Sequence, residues 1–218
     1  MEPTLSSRTL IGKAIVVLFR FTNEFAQNLA FVPAEDTNLM RGGWGSLILF
    51  KSDLETATPK HDLYFIPGKI DSPEGLKFYI SKSYTDSQTS ANLANDEFGI
   101  RQELATFRWT TEGKRDTISI TQDNQQIFHI VTKRWSLPVS APKSLQTLEL
   151  SQKQGNTYFI FKPEAVGKGR MTHIIDTEID PAYLPNMFDY NFVTCFTYNN
   201  LELTIPAASI NSSVPPRK

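Results

Sequence analysis

The residues most able to do chemistry in this sequence form a short polar run, Arg101-Gln102-Glu103, with Lys82 upstream. A guanidinium binds a carboxylate or carbonyl oxygen through two parallel hydrogen bonds, and an amide can polarise the same oxygen. A lysine amine that loses its proton in a dry pocket can condense with a ketone. An arginine and a glutamine near a cavity could therefore bind a carboxylate or a carbonyl group.

Each of these residues also has a purely structural interpretation. Lysines are mostly exposed, so Lys82 could lie on the surface. Arg101 could be solvated, with Gln102 satisfied by a neighbouring group. Because an unpaired buried carboxylate is costly, Glu103 could pair with Arg101, Arg108 or a backbone donor.

Other reactive residue types give no pattern that indicates a site. The histidines, His61, His129 and His173, have no ligand spacing, and we expect no metal site and no cofactor. Cys195 has no basic neighbour that would activate its thiol. The segment 167–170, Gly-Lys-Gly-Arg, lacks the following helix that a phosphate-binding loop needs, and it is better explained as a turn.

The elements that must position these residues can be predicted from the hydrophobic pattern. Apolar residues alternate over 76–80, which predicts a strand, and Asp86 and Ser87 can cap a helix that begins at Gln88 and stops at Gly99. Strand alternation places Lys82, Tyr84 and Asp86 on one face, which we orient toward a pocket. Lys82 and Tyr84 are therefore predicted to contact a ligand.

The rest of the chain contains many short strands separated by Gly, Pro and Asn turns. Asp123-Asn124 predicts a hairpin turn, and Asn199-Asn200 predicts another between strands over 192–198 and 201–205. A second short helix is predicted over 23–30. This pattern indicates a mainly β (α+β) fold, with a closed or nearly closed antiparallel β-barrel-like sheet and a few short helices.

The composition limits the classes of partner. The 218 residues are 40% hydrophobic, and we interpret 1–210 as a single domain followed by a flexible tail over 211–218. Lys plus Arg, 22 residues, nearly balance Asp plus Glu, 23 residues, which argues against a nucleic-acid or anionic membrane partner. The N-terminal apolar run is too short for a membrane span, and one cysteine fits a reducing compartment, so we expect a cytoplasmic protein.

The central stretch resembles the acetoacetate decarboxylase-like family, in which it reads roughly Tyr-x-Asp…Gly-Arg-Glu-x-Trp-Gly-x-Pro-Lys-Glu-Leu-Ala-x-Phe. The positions that match are Tyr84, Asp86, Gly99, Glu103, Leu104, Ala105 and Phe107. Three positions depart from the pattern, because Arg101 replaces the proline, Gln102 the lysine and Asn95 the preceding arginine. The resemblance covers nearly the whole chain at low identity.

The resemblance implies a β-barrel-like fold around a small apolar cavity, and a homo-oligomer. It places Asp62, in the pair Asp62-Leu63, where the family has a glutamate before an apolar run. It also places Glu103 directly after the reactive position, and we expect Phe98 and Trp109 to contact the ligand. The family lysine forms a Schiff base with a β-keto acid, which a glutamine cannot do.

Two functions follow from the sequence. The first is an acetoacetate decarboxylase-like protein that binds a keto-acid-like, polyketide-like or other carbonyl compound. In this function Arg101 and Gln102 polarise an oxygen and Asp62 or Glu103 moves a proton, in non-covalent lyase, isomerase or cyclase chemistry. The alternative is a non-catalytic member of the family, which acts as a ligand-binding or oligomeric interaction module.

Overall fold

The structure is a computed structural model that describes residues 7–52, 60–140 and 148–212. Over these residues the chain forms mostly β-structure with two α-helices, α1 (Asn23–Asn28) and α2 (Gln88–Phe98). Short 3-10 helices lie at Ala34–Leu39 and Met187–Asp189. The strands, in chain order, are β1 (Arg8–Phe21), β2 (Met40–Arg41), β3 (Gly43–Ser52), β4 (Lys60–Ile66), β5 (Gly68–Ser72), β6 (Gly75–Tyr79), β7 (Lys82–Thr85), β8 (Gln102–Leu104), β9 (Thr106–Glu112), β10 (Arg115–Gln122), β11 (Gln125–Arg134), β12 (Val139–Ser140), β13 (Leu150–Gln154), β14 (Thr157–Phe161), β15 (Glu164–Val166), β16 (Lys168–Ile179), β17 (Asn191–Ile205) and β18 (Ser209–Ser212).

A twelve-stranded sheet dominates the molecule, with the strand order β8-β7-β4-β3-β1-β17-β16-β11-β10-β9 and with β12 and β15 paired beside this path. The sheet curls until its two ends approach, where Gln122 Nε2 of β10 donates to Glu103 Oε2 of β8 at 3.4 Å. A second, six-stranded sheet has the order β18-β14-β13-β6-β5-β2. The mainly β, nearly closed barrel-like fold predicted from the sequence is therefore confirmed.

The curled sheet encloses a hydrophobic core that we call the filled core. Alternate residues of β1, among them Ile15, Val17 and Phe19, point into it, and Phe21 stacks on Phe25 with ring centroids 4.3 Å apart. Burial of a side chain of this size stabilises the fold by about 1.5–3 kcal/mol. The buried members are Ile15, Val17, Phe19, Phe21, Phe25, Ala30, Leu47, Leu49, Leu63, Phe65, Tyr84, Ile118, Ile120, Ile127, Phe128, Ile130, Leu184, Met187 and Cys195.

Helix α2 forms as its sequence predicts. The Ser87 side chain accepts a hydrogen bond from the Ser90 N–H at 3.3 Å, and Gly99 ends the helix with φ of +64°. A Cβ at position 99 would also lie 2.5 Å from the Phe159 ring, so glycine is required there for two reasons. Asp86 is not the cap. Its carboxylate instead accepts from the His61 backbone N–H at 2.9 Å and contacts the His61 ring at 2.6 Å.

Two predicted boundaries differ from the structure. Strand β17 continues through Asn199-Asn200, because these residues form a bulge opposite β1 and do not form a hairpin turn. Strand β18 includes Asn211 and Ser212, which the sequence assigned to the tail, and residues 213–218 lie outside the described part.

Two other features concern the turns and the helices. The predicted turn at Asp123-Asn124 is confirmed, with φ values of 50° and 65°. Within the described residues, no helix is long and apolar enough to cross a membrane.

Candidate active site

A cavity of about 300 Å³ lies on the face of the long sheet that points away from the filled core, between this sheet, α2 and the second sheet. Most of its wall is apolar, and the polar part of the wall is small. The polar lining residues are Arg8, Ser52, Lys60, Asp62, Tyr64, Thr89, Ser90, Gln102 and Tyr198. The apolar lining residues are Leu10, Val16, Ile48, Phe50, Ile66, Ile80, Leu93, Ala94, Phe98, Ile100, Leu148, Leu150, Phe161, Pro163, Ala165, Leu201, Leu203 and Ile205.

Strand β4 shows how the sequence builds this wall. Side chains on a strand alternate between its two faces, so Asp62 and Tyr64 point into the cavity while Leu63 and Phe65 point into the filled core. Lys60 precedes Asp62 by two residues and lines the same cavity. One short strand therefore supplies an amine, a carboxyl group and a phenol to a single apolar space.

Asp62 and Gln102 form a buried polar pair at the cavity wall, with exposed fractions of 7% and 6%. Gln102 Nε2 donates to Asp62 Oδ1 at 3.2 Å and to Ser83 Oγ at 3.1 Å. The Gln102 backbone N–H donates to Asn95 Oδ1 of α2 at 3.3 Å. Because side chain and backbone are both held, the amide has a fixed orientation toward the carboxyl group.

Burial in this apolar wall changes the acid–base behaviour of the pair. Desolvation raises the pKa of Asp62 from 3.8 to about 6, against the opposing effect of hydrogen bonds from Thr85 and Gln102. The pKa of Tyr64 is raised well above its usual value, first by burial and then by the nearby Asp62 charge. Asp62 can thus exchange a proton near neutral pH, while Tyr64 keeps its proton and can donate a hydrogen bond.

The structure brings only part of the predicted site together. Gln102, Asp62 and Phe98 line the cavity. Arg101 and Glu103 flank Gln102 in the chain, so their side chains point to the opposite face of the sheet, where they line a smaller pocket. The structure therefore does not bring Arg101 and Glu103 together with Gln102 in one cavity, as the sequence had predicted.

The prediction for Lys82 and Tyr84 is also corrected. Strand β7 pairs with β4 so that Tyr84 lies opposite Leu63, and directly paired residues share a face. Tyr84 is consequently buried in the filled core, where its hydroxyl donates to the Tyr183 carbonyl at 2.9 Å. Lys82 points to that same face and forms an ion pair with Glu103 at 2.5 Å.

Trp109 does not line the cavity. It packs against the filled core, and its indole N–H donates to Asp116 Oδ1 at 3.4 Å. The residues that sequence reasoning missed are Arg8, Lys60, Tyr64 and Tyr198. Alternation from Asp62 alone would have identified Lys60 and Tyr64. Within the described ranges, no group of three or more His, Cys, Asp or Glu residues could hold a metal ion.

Comparisons with known proteins support the fold. No protein-family model and no curated protein sequence matches the chain. Solved structures do match, among them the acetoacetate decarboxylase of Legionella pneumophila, at a TM-score of 0.69 and 11% identity over 95% of this chain and 87% of that chain. An acetoacetate decarboxylase-like enzyme from Sphingomonas wittichii RW1 matches at a TM-score of 0.65 and 9% identity, over 96% of this chain and 94% of that chain.

A third similar structure is the enduracididine biosynthesis enzyme MppR in complex with pyruvate. Its TM-score is 0.64 and its identity 10%, over 96% of this chain and 91% of that chain. The three matches agree with one another and span nearly the whole chain. The chain therefore has the fold of the acetoacetate decarboxylases and acetoacetate decarboxylase-like enzymes.

Proposed function

We propose that this chain is a divergent acetoacetate decarboxylase-like protein that binds a small, mostly apolar carbonyl or keto-acid compound in the cavity. The observation that carries the proposal is the Asp62–Gln102 pair, which is a buried polar pair on an otherwise apolar wall with Tyr64 beside it. Apolar cavities with a few convergent polar groups and a perturbed carboxyl group are typical of ligand sites. The pyruvate bound to MppR, which has the same fold, agrees with this ligand class.

The chemistry that fits these groups is proton transfer without a covalent intermediate. Gln102 has an amide where the family has an amine, so it cannot form an imine. Its hydrogen bond instead orients the Asp62 carboxylate. Asp62 is the proton carrier of the proposed reaction, Gln102 is a positioning residue, and Tyr64 is the hydrogen-bond donor to the substrate oxygen.

In an isomerase reaction, the Asp62 carboxylate accepts a proton from the carbon beside the carbonyl. The electron pair of the broken C–H bond forms a C=C bond, and the carbonyl oxygen becomes an enolate oxygen that the Tyr64 hydroxyl stabilises. When the substrate is a β,γ-unsaturated ketone this enolate is a dienolate, so protonated Asp62 can return the proton at the γ-carbon, which moves the C=C bond into conjugation with the re-formed carbonyl.

In a lyase reaction on a β-keto acid, the bond to the carboxylate carbon breaks and carbon dioxide leaves. The electron pair of the broken C–C bond forms an enolate. Protonated Asp62 then donates its proton to the enolate carbon. In this case Lys60 or Arg8 would meet the substrate carboxylate, because they are the cationic residues of the cavity lining.

Deuterium exchange tests the proposal directly. We expect the protein to accelerate exchange of the α-protons of 2-octanone and 3-oxooctanoate in D₂O, followed by proton NMR, and to lose most of this effect in Asp62→Asn. General acid–base catalysis typically contributes about 10²–10⁴-fold, which sets the size of the expected loss. The matched control is Asp96→Asn, an exposed aspartate of α2 with the same change in charge.

Two results would contradict the proposed chemistry. Equal exchange rates for wild type and Asp62→Asn would remove Asp62 from the reaction. A borohydride-trapped adduct of 3-oxooctanoate on any lysine of the wild type, seen by intact mass, would show that an imine forms after all. Gln102→Lys is expected to give such an adduct, because it restores an amine at the cavity wall.

A non-catalytic binding function is favoured by one observation. Gln102 Nε2 has two hydrogens, and it donates to both Asp62 and Ser83. Because both amide hydrogens of Gln102 already have partners, the Asp62–Gln102 pair can act as a rigid part of the cavity wall. Saturable binding of 2-octanone with no exchange above the buffer rate would support this function.

A further inference from the structure

A second pocket, of about 170 Å³, lies on the other face of β7 and β8 from the cavity. Its wall includes Lys82 of β7, Glu103 of β8, Arg101 directly before β8 and Phe31 from the loop after α1. The three-residue strand β8 is thus a shared wall, with Gln102 facing the cavity and its two neighbours facing the pocket. None of the pocket groups takes part in the chemistry proposed above.

The charges in this pocket do not balance. Lys82 is paired with Glu103 at 2.5 Å, and Lys153, which also lines the pocket, is paired with the buried Asp36. Arg101 is exposed, and its guanidinium forms no hydrogen bond or ion pair with the described residues. The pocket therefore presents one uncompensated guanidinium, the group best shaped to bind a carboxylate through two hydrogen bonds.

A polar group on the same wall is also unused. The Ser81 hydroxyl oxygen is buried and has no hydrogen-bond partner among the described residues. A buried hydroxyl without a partner is costly, and such groups commonly mark a place where a ligand or water completes the site.

The segment that carries Ser81 is held in place. The Ser81 N–H donates to the Phe65 carbonyl at 3.0 Å. With its amide oriented to satisfy both atoms, Gln152 donates to the Ile80 carbonyl at 3.1 Å and accepts from the Ile80 N–H at 2.8 Å. The backbone that carries Ser81 is therefore a fixed part of the pocket wall, with the hydroxyl buried behind it.

Phe31 contributes an apolar surface to the pocket, and its backbone is strained. Its φ of +58° lies in the left-handed region, which costs a non-glycine residue about 1–2 kcal/mol. The residue is 39% exposed and is not part of the filled core. Its ring lies 5.4 Å from Lys82 Nζ, at the pocket wall. Strain of this kind, held where no core packing requires it, is often found at binding sites.

We propose that this pocket binds a small organic carboxylate, whose carboxylate group is held by Arg101 beside the Ser81 segment and whose apolar part packs on Phe31. The volume of about 170 Å³ suits a ligand about the size of benzoate. This site is separate from the cavity and does not depend on the reaction proposed for it.

Isothermal titration with benzoate at constant ionic strength tests the site. We expect saturable binding by the wild type, at least tenfold weaker binding by Arg101→Gln, and unchanged binding by Arg108→Gln, which removes an exposed arginine on β9. Benzamide, the neutral analogue, should bind at least tenfold more weakly than benzoate. Gln102→Leu should leave benzoate binding unchanged, which separates this pocket from the cavity.

Phe31→Gly distinguishes a ligand contact from a structural residue. Glycine adopts positive φ without strain, so the melting temperature is expected to stay the same or rise while benzoate binds several-fold more weakly. The proposal fails if Arg101→Gln and Arg108→Gln have equal effects, or if benzamide binds as tightly as benzoate. The proposal also fails if inorganic phosphate binds as tightly as benzoate and Phe31→Gly leaves the affinities for benzoate and for phosphate unchanged.

Discussion

The two faces of the long sheet are built from the same strands and serve different purposes. On one face, Leu63 and Phe65 of β4 enter a core filled by aromatic and branched side chains. On the other face, Asp62 and Tyr64 of the same strand border open space. The comparison shows that a single alternation can assign core packing to odd positions and the cavity wall to even positions, so the cavity wall can vary while the core stays packed.

The largest expected difference between the faces is in packing energy. Leu63→Ala is expected to cost about 4 kcal/mol of unfolding free energy, because it leaves a new void in a closed core. Ile66→Ala, on the cavity face, is expected to cost about 2 kcal/mol, because the void joins an existing space. Chemical denaturation measures both, and equal costs would show that the two faces are packed alike.

The next difference is in pH dependence. A folded pKa of about 6 for Asp62, against an ordinary value of 3.8, means that the folded state binds this proton more tightly than the unfolded state. The contribution of Asp62 to stability is therefore present below about pH 4 and is lost as the pH rises through 6, by about 3 kcal/mol in total.

Urea denaturation of Asp62→Asn and wild type between pH 4 and 7.5 measures this contribution. The stability of the variant relative to wild type should increase with pH over this range. Asp96→Asn, at an exposed position, should show no such trend. A constant difference between Asp62→Asn and wild type would mean that the carboxyl group titrates normally.

Removal of the Gln102 amide should act on the same carboxyl group. The hydrogen bond from Gln102 lowers the pKa of Asp62, and a bond to a charged group contributes about 1.5 kcal/mol. Gln102→Leu is expected to raise the pKa of Asp62 by about one, measured by carbon NMR of the labelled carboxyl group. Gln88→Leu, on the exposed face of α2, is the control. An unchanged Asp62 pKa in Gln102→Leu would show that the Gln102 amide does not stabilise the Asp62 carboxylate.

Two tyrosines on neighbouring strands give the smallest and most specific test. Tyr84→Phe removes a buried hydrogen bond to the Tyr183 carbonyl and is expected to cost about 1 kcal/mol of stability, without effect on ligand binding in the cavity. Tyr64→Phe should leave stability nearly unchanged and slow deuterium exchange of 2-octanone. If Tyr84→Phe slowed the exchange and Tyr64→Phe lowered the stability, the ligand would lie on the face of the filled core.

Helix α2 and the cavity pair were accessible from the sequence. A serine cap before the helix and a glycine after it have local physical causes, and the structure confirms both. Gln102 and Asp62 were placed in one site through the family resemblance, and they are in contact. The resemblance therefore grouped two residues that the structure brings into contact at the cavity wall.

The errors came from strand register, which is a long-range property. Lys82 and Tyr84 were assigned to the cavity face because the alternation of β7 was known but its pairing with β4 was not. A shift of one residue moves every side chain to the other face, so no local pattern could have decided between the faces. The grouping of Arg101 and Glu103 with Gln102 had a different, local cause, because it ignored that neighbouring residues on a strand point to opposite faces.

The position of β8 at the end of the sheet has a consequence for self-association. An edge strand presents unpaired backbone groups that can pair with another chain and begin aggregation. Here α2 lies along that edge, and its Asn95 side chain accepts the hydrogen bond of the Gln102 N–H. The helix that helps to line the cavity thus also covers the sheet edge, and Asn95→Ala would leave the Gln102 N–H of that edge without this partner.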